Sequence, residues 1–386
     1  MLPRMAIAPL WFFVFLSALL LLSAGGYAQA PSWTWQAETV DSGGAFPSLA
    51  VDKQLNLHLS YVRTGGSIMY AFRPAATSQW FKLSVDPGGG SANMTTGIAL
   101  DSQGNPHICL TPGPLKYSHF DGHQWKTDFI GANTSLLEYT CSIKISDQGV
   151  PQIIWYQTHN EDGTPFLHIR YAAKRDGIWT TQTIDFDFET GKWNSIALDA
   201  SGTPHISYSA LSGGELRYAS LDGDKWSVNI IDSRNFKDNG SFNRGFGNSI
   251  TLDQDESPHI SYYHDTLLKY ARKVNGVWKT EVVDTVSGSR GWSGYKSVIL
   301  LDSHGLPHIC YEDSGAVKHA YWDGAKWRIQ LITAGGLQAR WPSAAIDAND
   351  TIYIAYRDSF DSSLKVSIGK LSNQTVKSVG TTSGDH

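Results

Sequence analysis

The chain has 386 residues, with 31 Lys+Arg against 36 Asp+Glu and a formal net charge of -5. That mild acidity excludes the basic footprint that nonspecific nucleic-acid binding requires. With 37 glycines, 14 tryptophans and 41% hydrophobic residues, the composition excludes a disordered chain and points to a globular protein of β type.

The chain opens on an apolar stretch in which Arg4 is the only charge before residue 31. The run AIAPLWFFVFLSALLLLSAGGYA ends at the small residue Ala28, with Ala30 two positions on. This is the layout of a signal peptide over 1–30, cleaved after Ala28 or Ala30. Uncleaved, the same run reads as a membrane anchor, because it nearly reaches the roughly 20 residues a span needs. The cleaved form is favoured and places the mature chain outside the cytoplasm: secreted, periplasmic or on the cell surface. No later stretch is apolar and long enough to cross a membrane. Residues 373–386 read as a C-terminal tail.

Between these ends one unit recurs. The residues closing each SIALD-like run are Asp52, Asp101, Ser146, Asp199, Asp253, Asp302 and Asp347, spaced by about fifty residues. Within a unit, four short pieces follow one another, as in SIALD, PHISY, LRYAS and KWSVNIID from Ser195 onward. Each is rich in Ile, Val, Tyr or Trp and is bounded by turn residues. The first two are separated by an Asp-x-x-Gly-type turn. The last two are separated by Asp-Gly or Asn-Gly (DGDKW, DGHQW, NGVW, DGAKW), a hairpin signal because these residues tolerate positive φ. The pattern predicts an all-β fold over 31–372: a seven-bladed β-propeller with four antiparallel strands per blade.

The chain ends predict how the ring closes. The fourth strand is marked by Trp35, Trp80, Trp125, Trp179, Trp226, Trp278 and Trp327. In five of these, Asp stands six residues later (Asp41, Asp86, Asp185, Asp232, Asp284). The first, in WQAETVD, precedes any complete unit, whereas the unit from Ser343 has three strands and no Trp strand after them. The N-terminal strand is therefore expected to complete the last blade, which removes two exposed sheet edges.

His58, His107, His205, His259 and His308 occupy the same place in five units. A residue repeated around a ring serves packing and hydrogen bonding in every blade, so these histidines are read as structural. Asp265, Asp313 and Asp358, two residues after the Tyr position, are read the same way. Three cysteines give no disulfide framework. Cys109 and Cys310 stand where sister units have Ser207 and Ser261 and read as small buried residues, with a Cys109–Cys141 bridge as the alternative. Five Asn-x-Ser/Thr sequons begin at Asn93, Asn133, Asn239, Asn349 and Asn373. Some would be glycosylated in a eukaryotic secretory pathway.

The units SIALDASGTPHISYSA and SITLDQDESPHISYYHDTLLKYARK resemble the Pro-His-Ile-Ser-Tyr propeller repeats of bacterial exported proteins. More distantly they are similar to the BNR/Asp-box propellers of sialidases and polysaccharide lyases. They depart from the Asp-box, whose Ser-x-Asp-x-Gly-x-x-Trp spacing is shortened here to SLDGDKW. The first resemblance covers nearly all of the mature chain and implies the fold. It carries no catalytic residue across.

Function is sought where the repeat is broken. Connections from each fourth strand to the next unit are long and individual, and they emerge at the same end as the loops between second and third strands. Aromatics stand there at Phe46, Tyr139, Trp193, Phe246, Tyr295 and Trp341. They form either a collar for stacking sugar rings or packing between blades. Cations gather at Arg290, Lys296, Arg340 and Arg357 on the last three units, with Arg63 on the first unit beside them, and Glu312 and His264 lie among them. Cations near aromatics suit an anionic sugar such as a uronate, sulfated sugar or sialate.

The expected function is thus carbohydrate binding by a monomer, with ligand contacts at Arg340, Trp341, Arg357, Arg63, Arg290, Lys296, Tyr295 and Trp193. An alternative is turnover at the same end. A lyase would use His264 or Tyr263 as base and Arg340 or Arg357 to neutralise a uronate. A glycosidase would need Glu312 and a second carboxyl group. A protein-interaction platform is the third reading. No Gly-rich phosphate loop, His-Glu-x-x-His or Cys-x-x-Cys is present, so no cofactor or metal is expected.

Overall fold

Each repeat folds into one four-stranded antiparallel sheet. A computed structural model describes residues 32–63, 65–87, 95–111, 114–130, 138–161, 164–187, 190–210, 214–233, 247–287, 296–333 and 339–372, with side chains except at 138–139, 158–167 and 192. The segment 1–30 and the tail 373–386 lie outside the described residues, as do Arg290, Tyr295 and Phe246.

The first strand is β1 (Trp33–Asp41). Blade 1 is β2 (Ala45–Val51), β3 (Leu57–Val62), β4 (Ile68–Arg73) and β5 (Phe81–Asp86). Blade 2 is β6 (Thr95–Leu100), β7 (Pro106–Thr111), β8 (Lys116–Phe120) and β9 (Trp125–Phe129). Blade 3 is β10 (Glu138–Ile145), β11 (Pro151–Glu161), β12 (Thr164–Arg175) and β13 (Ile178–Thr183). Blade 4 is β14 (Thr190–Leu198), β15 (Pro204–Ala210), β16 (Glu215–Asp222) and β17 (Lys225–Ser233). Blade 5 is β18 (Ser249–Leu252), β19 (Pro258–His264), β20 (Leu267–Val274) and β21 (Val277–Thr285). Blade 6 is β22 (Ser297–Leu301), β23 (Pro307–Asp313), β24 (Ala316–Trp322) and β25 (Trp327–Leu331). Blade 7 is β26 (Ala339–Ile346), β27 (Ile352–Asp358) and β28 (Leu364–Leu371), and β1 is its fourth strand.

The first strand of each blade touches the first strand of the next, from β2 through β6, β10, β14, β18, β22 and β26 back to β2. Seven inner strands therefore enclose an axis, and the fold is a seven-bladed β-propeller. Closure follows the expected route. β1 pairs antiparallel with β28, Trp35 opposite Gly369 and Thr39 opposite Lys365. Gly369 leaves room for the Trp35 indole, which a Cβ there would meet at 2.5 Å. On the inside, the Leu49 amide of blade 1 donates to Ser343 Oγ of blade 7 at 3.0 Å.

The middle strands are covered on both faces by neighbouring blades, so β3, β7 and β23 are buried at every position while β5 is mostly exposed. The core is correspondingly divided into seams. Ile154, Ile169 and Tyr171 of blade 3, for instance, pack with Ile196, Ile206 and Tyr208 of blade 4. A tyrosine in the third strand meets the marker Trp of the next blade edge-on. Tyr70–Trp125, Tyr117–Trp179, Tyr171–Trp226, Tyr218–Trp278 and Tyr270–Trp327 have ring centroids 5.1 to 5.5 Å apart. Such pairs contribute about 0.5–1.5 kcal/mol each beyond area burial.

The repeated histidine lies beneath this tyrosine. In His58 and His259, Nδ1 accepts from the Tyr70 and Tyr270 hydroxyls at 2.8 and 2.6 Å, and Nε2 faces Asp52 and Asp253 at 3.2 and 3.1 Å. His107 and His205 repeat the arrangement with Tyr117 and Tyr218, and in blade 6 His308 meets His319 instead. Burial holds His58, His107, His205 and His259 below the usual imidazole pKa, so each is a neutral bridge between turn aspartate and tyrosine.

The Trp-to-Asp spacing also has a structural cause. The aspartate latches adjacent blades: Asp41 accepts from Tyr61 at 2.6 Å, Asp185 from Tyr208 at 2.6 Å, Asp232 from Tyr262 at 2.7 Å and Asp284 from Tyr311 at 2.5 Å. A cation closes each latch, as Arg217 does on Asp185 and Lys269 on Asp232. Asp313 and Asp358 are likewise engaged, by Lys318 and Lys365, each at 2.6 Å. One expectation is corrected. Cys109 of β7 is not simply a small buried residue: it is disulfide-bonded to Cys141 of β10, which staples blade 2 to blade 3. Cys310 is buried and free.

Candidate functional site at the long-loop end

Four of the inner strands, β2, β10, β14 and β26, enter the ring through bulges. The register shifts between Ala45 and Ser48, between Lys192 and Ser195, and between Arg340 and Ser343. Phe46, Trp193 and Trp341 sit in these bulges with φ of 51°, 54° and 55°. Bulky residues seldom adopt the left-handed region, and strain of this kind gathers at functional sites.

Trp341 leads to a connected group. Its ring stacks on Phe46 of blade 1 with centroids 4.0 Å apart, and the Arg357 guanidinium lies 5.9 Å from the Trp341 ring centroid. The aromatic collar is thus partly packing between blades, and Trp341 presents its ring through Arg357 rather than as a bare shelf. Arg340 and Arg357 are directly opposite each other in the β26–β27 register. Like charges placed opposite across a ladder destabilise a sheet. Arg340 is exposed and Arg357 half-buried, its Nε without a hydrogen-bond partner among the described residues.

Beneath the arginines lies Glu312, 5% exposed. Its Oε2 accepts the Trp341 amide at 3.3 Å, and burial pushes its carboxyl up to about 7 despite the opposing pull of Trp341 N–H and Arg340. The Glu312 amide donates to the Lys296 carbonyl at 3.2 Å, and the Tyr263 hydroxyl donates to the Glu312 carbonyl at 2.8 Å. Lys296 is half-buried, and burial alone lowers its ammonium to about 8. Glu312, Lys296, Tyr263, Arg340, Trp341 and Arg357 therefore form one network across blades 5, 6 and 7.

Of the other expected site residues, His264, Arg63 and Trp193 lie elsewhere. His264 is held at the seam of blades 4 and 5, where Nδ1 is 3.1 Å from Asp232, already bound by Tyr262 and Lys269. Arg63 is half-exposed on blade 1, 3.8 Å from the closure latch Asp41. Trp193 is on blade 4, where its carbonyl accepts from Asn248. Tyr263 is buried and its hydroxyl is committed to main-chain carbonyls, so it does not offer a base to solvent. Sequence reasoning overlooked Lys144, an exposed lysine on the inner strand β10. The signal was available: sister units have Ala50, Ala99, Ala197, Thr251, Leu300 and Ala345 at that position.

No family model matches the sequence, and no curated protein is similar to it. Solved structures do share its fold. A fungal alcohol oxidase in complex with copper superimposes with a TM-score of 0.55 at 10% identity, covering 89% of this chain and 77% of that one. The polysaccharide lyase Uly1 gives 0.52 at 9% identity, covering 83% and 88%. A mutant of the Aleuria aurantia lectin bound to alpha-methyl-L-fucoside gives 0.50 at 15% identity, covering 78% and 98%. An oxidase, a lyase and a lectin share one architecture, so the likeness speaks for the propeller and the chemistry has to be argued from the residues.

Proposed function

We propose that the protein is an exported carbohydrate-binding propeller that takes an anionic glycan at the long-loop end of blades 6 and 7. The observation that carries this reading is the pair Arg340 and Arg357, opposite each other on adjacent strands and backed by a buried Glu312. A carboxylate or sulfate between the two guanidinium groups would relieve their repulsion and accept their planar forks. Two of the fold neighbours, the lectin and the lyase, bind or act on carbohydrate, which supports the ligand class. The Cys109–Cys141 bridge suits an oxidising compartment and so supports export through the 1–30 segment.

Binding is preferred to turnover because the two parts of a lyase site are separated: His264 belongs to the seam of blades 4 and 5, the arginines to blade 7. The specific observation on the other side is Glu312, whose carboxyl sits near neutral pH as a general acid would. One screen tests both. The mature protein is titrated with uronate-containing, sulfated and neutral polysaccharides, reading affinity together with the absorbance of new unsaturated uronate. Salt-sensitive affinity for acidic chains without new absorbance is expected. Preference for neutral chains would overturn the anionic reading, and steady growth of absorbance would replace binding by lyase activity.

A further inference from the structure

The inner strands β2, β6, β10, β14, β18, β22 and β26 wall the propeller axis, each flanked by two neighbours and backed by its own second strand. An exposed side chain on such a strand, closed in by blades on either side, opens toward the axis. Lys144 meets that description. It lies in β10, paired with Gln152 of β11, between the buried Ile143 and the half-buried Ile145. Its counterparts in the other blades are Ala, Thr or Leu.

Blade 3 departs from the repeat in two further places around Lys144. The turn aspartate is replaced by Ser146, and the histidine by Gln152, which accepts from Tyr171 at 2.7 Å. The carboxylate that every other blade has at that turn is therefore missing where the lysine has been added. Lys296, on the far side of the ring in blade 6, stands four repeat positions nearer the long-loop end, roughly 13 Å along a strand. Among the described residues neither ammonium has a hydrogen bond or ion pair. Although Lys144 is exposed and Lys296 half-buried, desolvation by the surrounding ring lowers both below the usual lysine pKa, with no carboxylate to offset it. A cation that opens toward the axis without a counter-charge is a partner for an anion that brings its own.

We propose that the axial channel is a second ligand site, distinct from the arginine pair, in which Lys144 holds an oxyanion (sulfate, phosphate or carboxylate) admitted past Lys296. The group is either a free ion or the acidic end of a bound glycan. The two sources share one chemistry and differ in what saturates the site.

The test uses the full mature chain at ionic strength held constant with chloride. Inorganic sulfate and a glucuronate-ended disaccharide are each titrated by calorimetry into the parent, Lys144→Met, Lys144→Arg and Arg340→Lys. Without ligand, Lys144→Met should melt close to the parent, since the side chain is exposed. The parent and Lys144→Arg should bind at least one of the two probes saturably, while Lys144→Met binds it about tenfold more weakly. Arg340→Lys weakens only sulfate held at the arginine pair, so a saturable sulfate site that persists in Arg340→Lys and is weakened in Lys144→Met separates this site from that pair. Saturation by sulfate identifies a free ion, and saturation by the disaccharide alone identifies a glycan end. Equal binding by Lys144→Met and the parent, or no saturable binding of either probe, would overturn the proposal.

Discussion

The two ends of the ring are built by opposite rules. At the short-turn end the same atoms recur: a turn aspartate, a neutral histidine and a tyrosine in four blades, with His319 replacing the tyrosine in a fifth. At the long-loop end four of the first strands bulge and the side chains differ blade by blade, with Phe46, Trp193, Lys296 and Trp341 at one repeat position. The lesson is that repetition marks what every blade needs to stand against its neighbours, and exceptions mark what the whole ring does once. The phrase Pro-His-Ile-Ser-Tyr, with its histidine and hydroxyls, has the composition of an active site but the geometry of a brace.

The sharpest way to break this contrast is at the closure seam. Deleting residues 31–41 removes β1, exposes the edge of β28 and leaves the Phe46–Trp341 stack on an incomplete blade. Thermal unfolding should show loss of the cooperative transition, whereas truncation after Ser372 should leave it near the parent. A parent-like melt for the N-terminal deletion would mean that closure does not hold the ring. Gly369→Ala probes the same seam more gently. Its methyl would press on the Trp35 indole and should lower stability by about 1–3 kcal/mol in denaturant titration.

At the short-turn end, His259→Ala strands the Tyr270 hydroxyl and takes one partner from the Asp253 carboxylate. It should lower stability by about 1–3 kcal/mol while leaving ligand affinity unchanged in the folded fraction. Selective loss of affinity at an unchanged melting temperature would turn the brace back into a functional residue.

Much of this was legible in the sequence because it is periodic. Blade number, strand order and the closure by WQAETVD follow from spacing alone, and the five histidines declare themselves scaffold by recurring. What was not legible depends on contacts between blades. The pairing of Cys109 with Cys141 requires knowing that β7 and β10 face each other across a seam. The role of the aspartate after each marker Trp requires its partner tyrosine from the next blade. At the site, His264 and Arg340 both lie at the correct end, but only the seams show that His264 is committed to Asp232. Lys144 was missed because attention went to loops, whereas it breaks the repeat inside a strand.

A smaller effect sharpens the chemistry beneath the arginines. Burial raises Glu312 from 4.5 to about 7, so the folded chain keeps a proton that the unfolded chain releases across that window. Its contribution to stability is therefore fully present below about pH 4.5 and is lost as pH rises through about 7. Glu312→Gln still offers an acceptor to the Trp341 amide but does not titrate. Melting temperatures taken from pH 4 to 8 should show the variant gaining on the parent toward neutral pH. Parallel curves would mean that folding leaves the titration of the Glu312 carboxyl unchanged.

The central claim is that the arginine pair on β26 and β27 recognises an anion, and Arg340→Lys tests it most directly. Arg340 is exposed, so the substitution should hardly change the melting temperature. It keeps the charge and removes the planar fork. Calorimetry with an acidic oligosaccharide selected by the polysaccharide screen should show affinity ten- to a hundred-fold weaker than the parent's, as expected for a charge-assisted pair of about 1.5–3 kcal/mol. Raising the salt concentration should weaken the parent in the same direction. Equal affinity in parent and variant, insensitive to salt, would contradict the account.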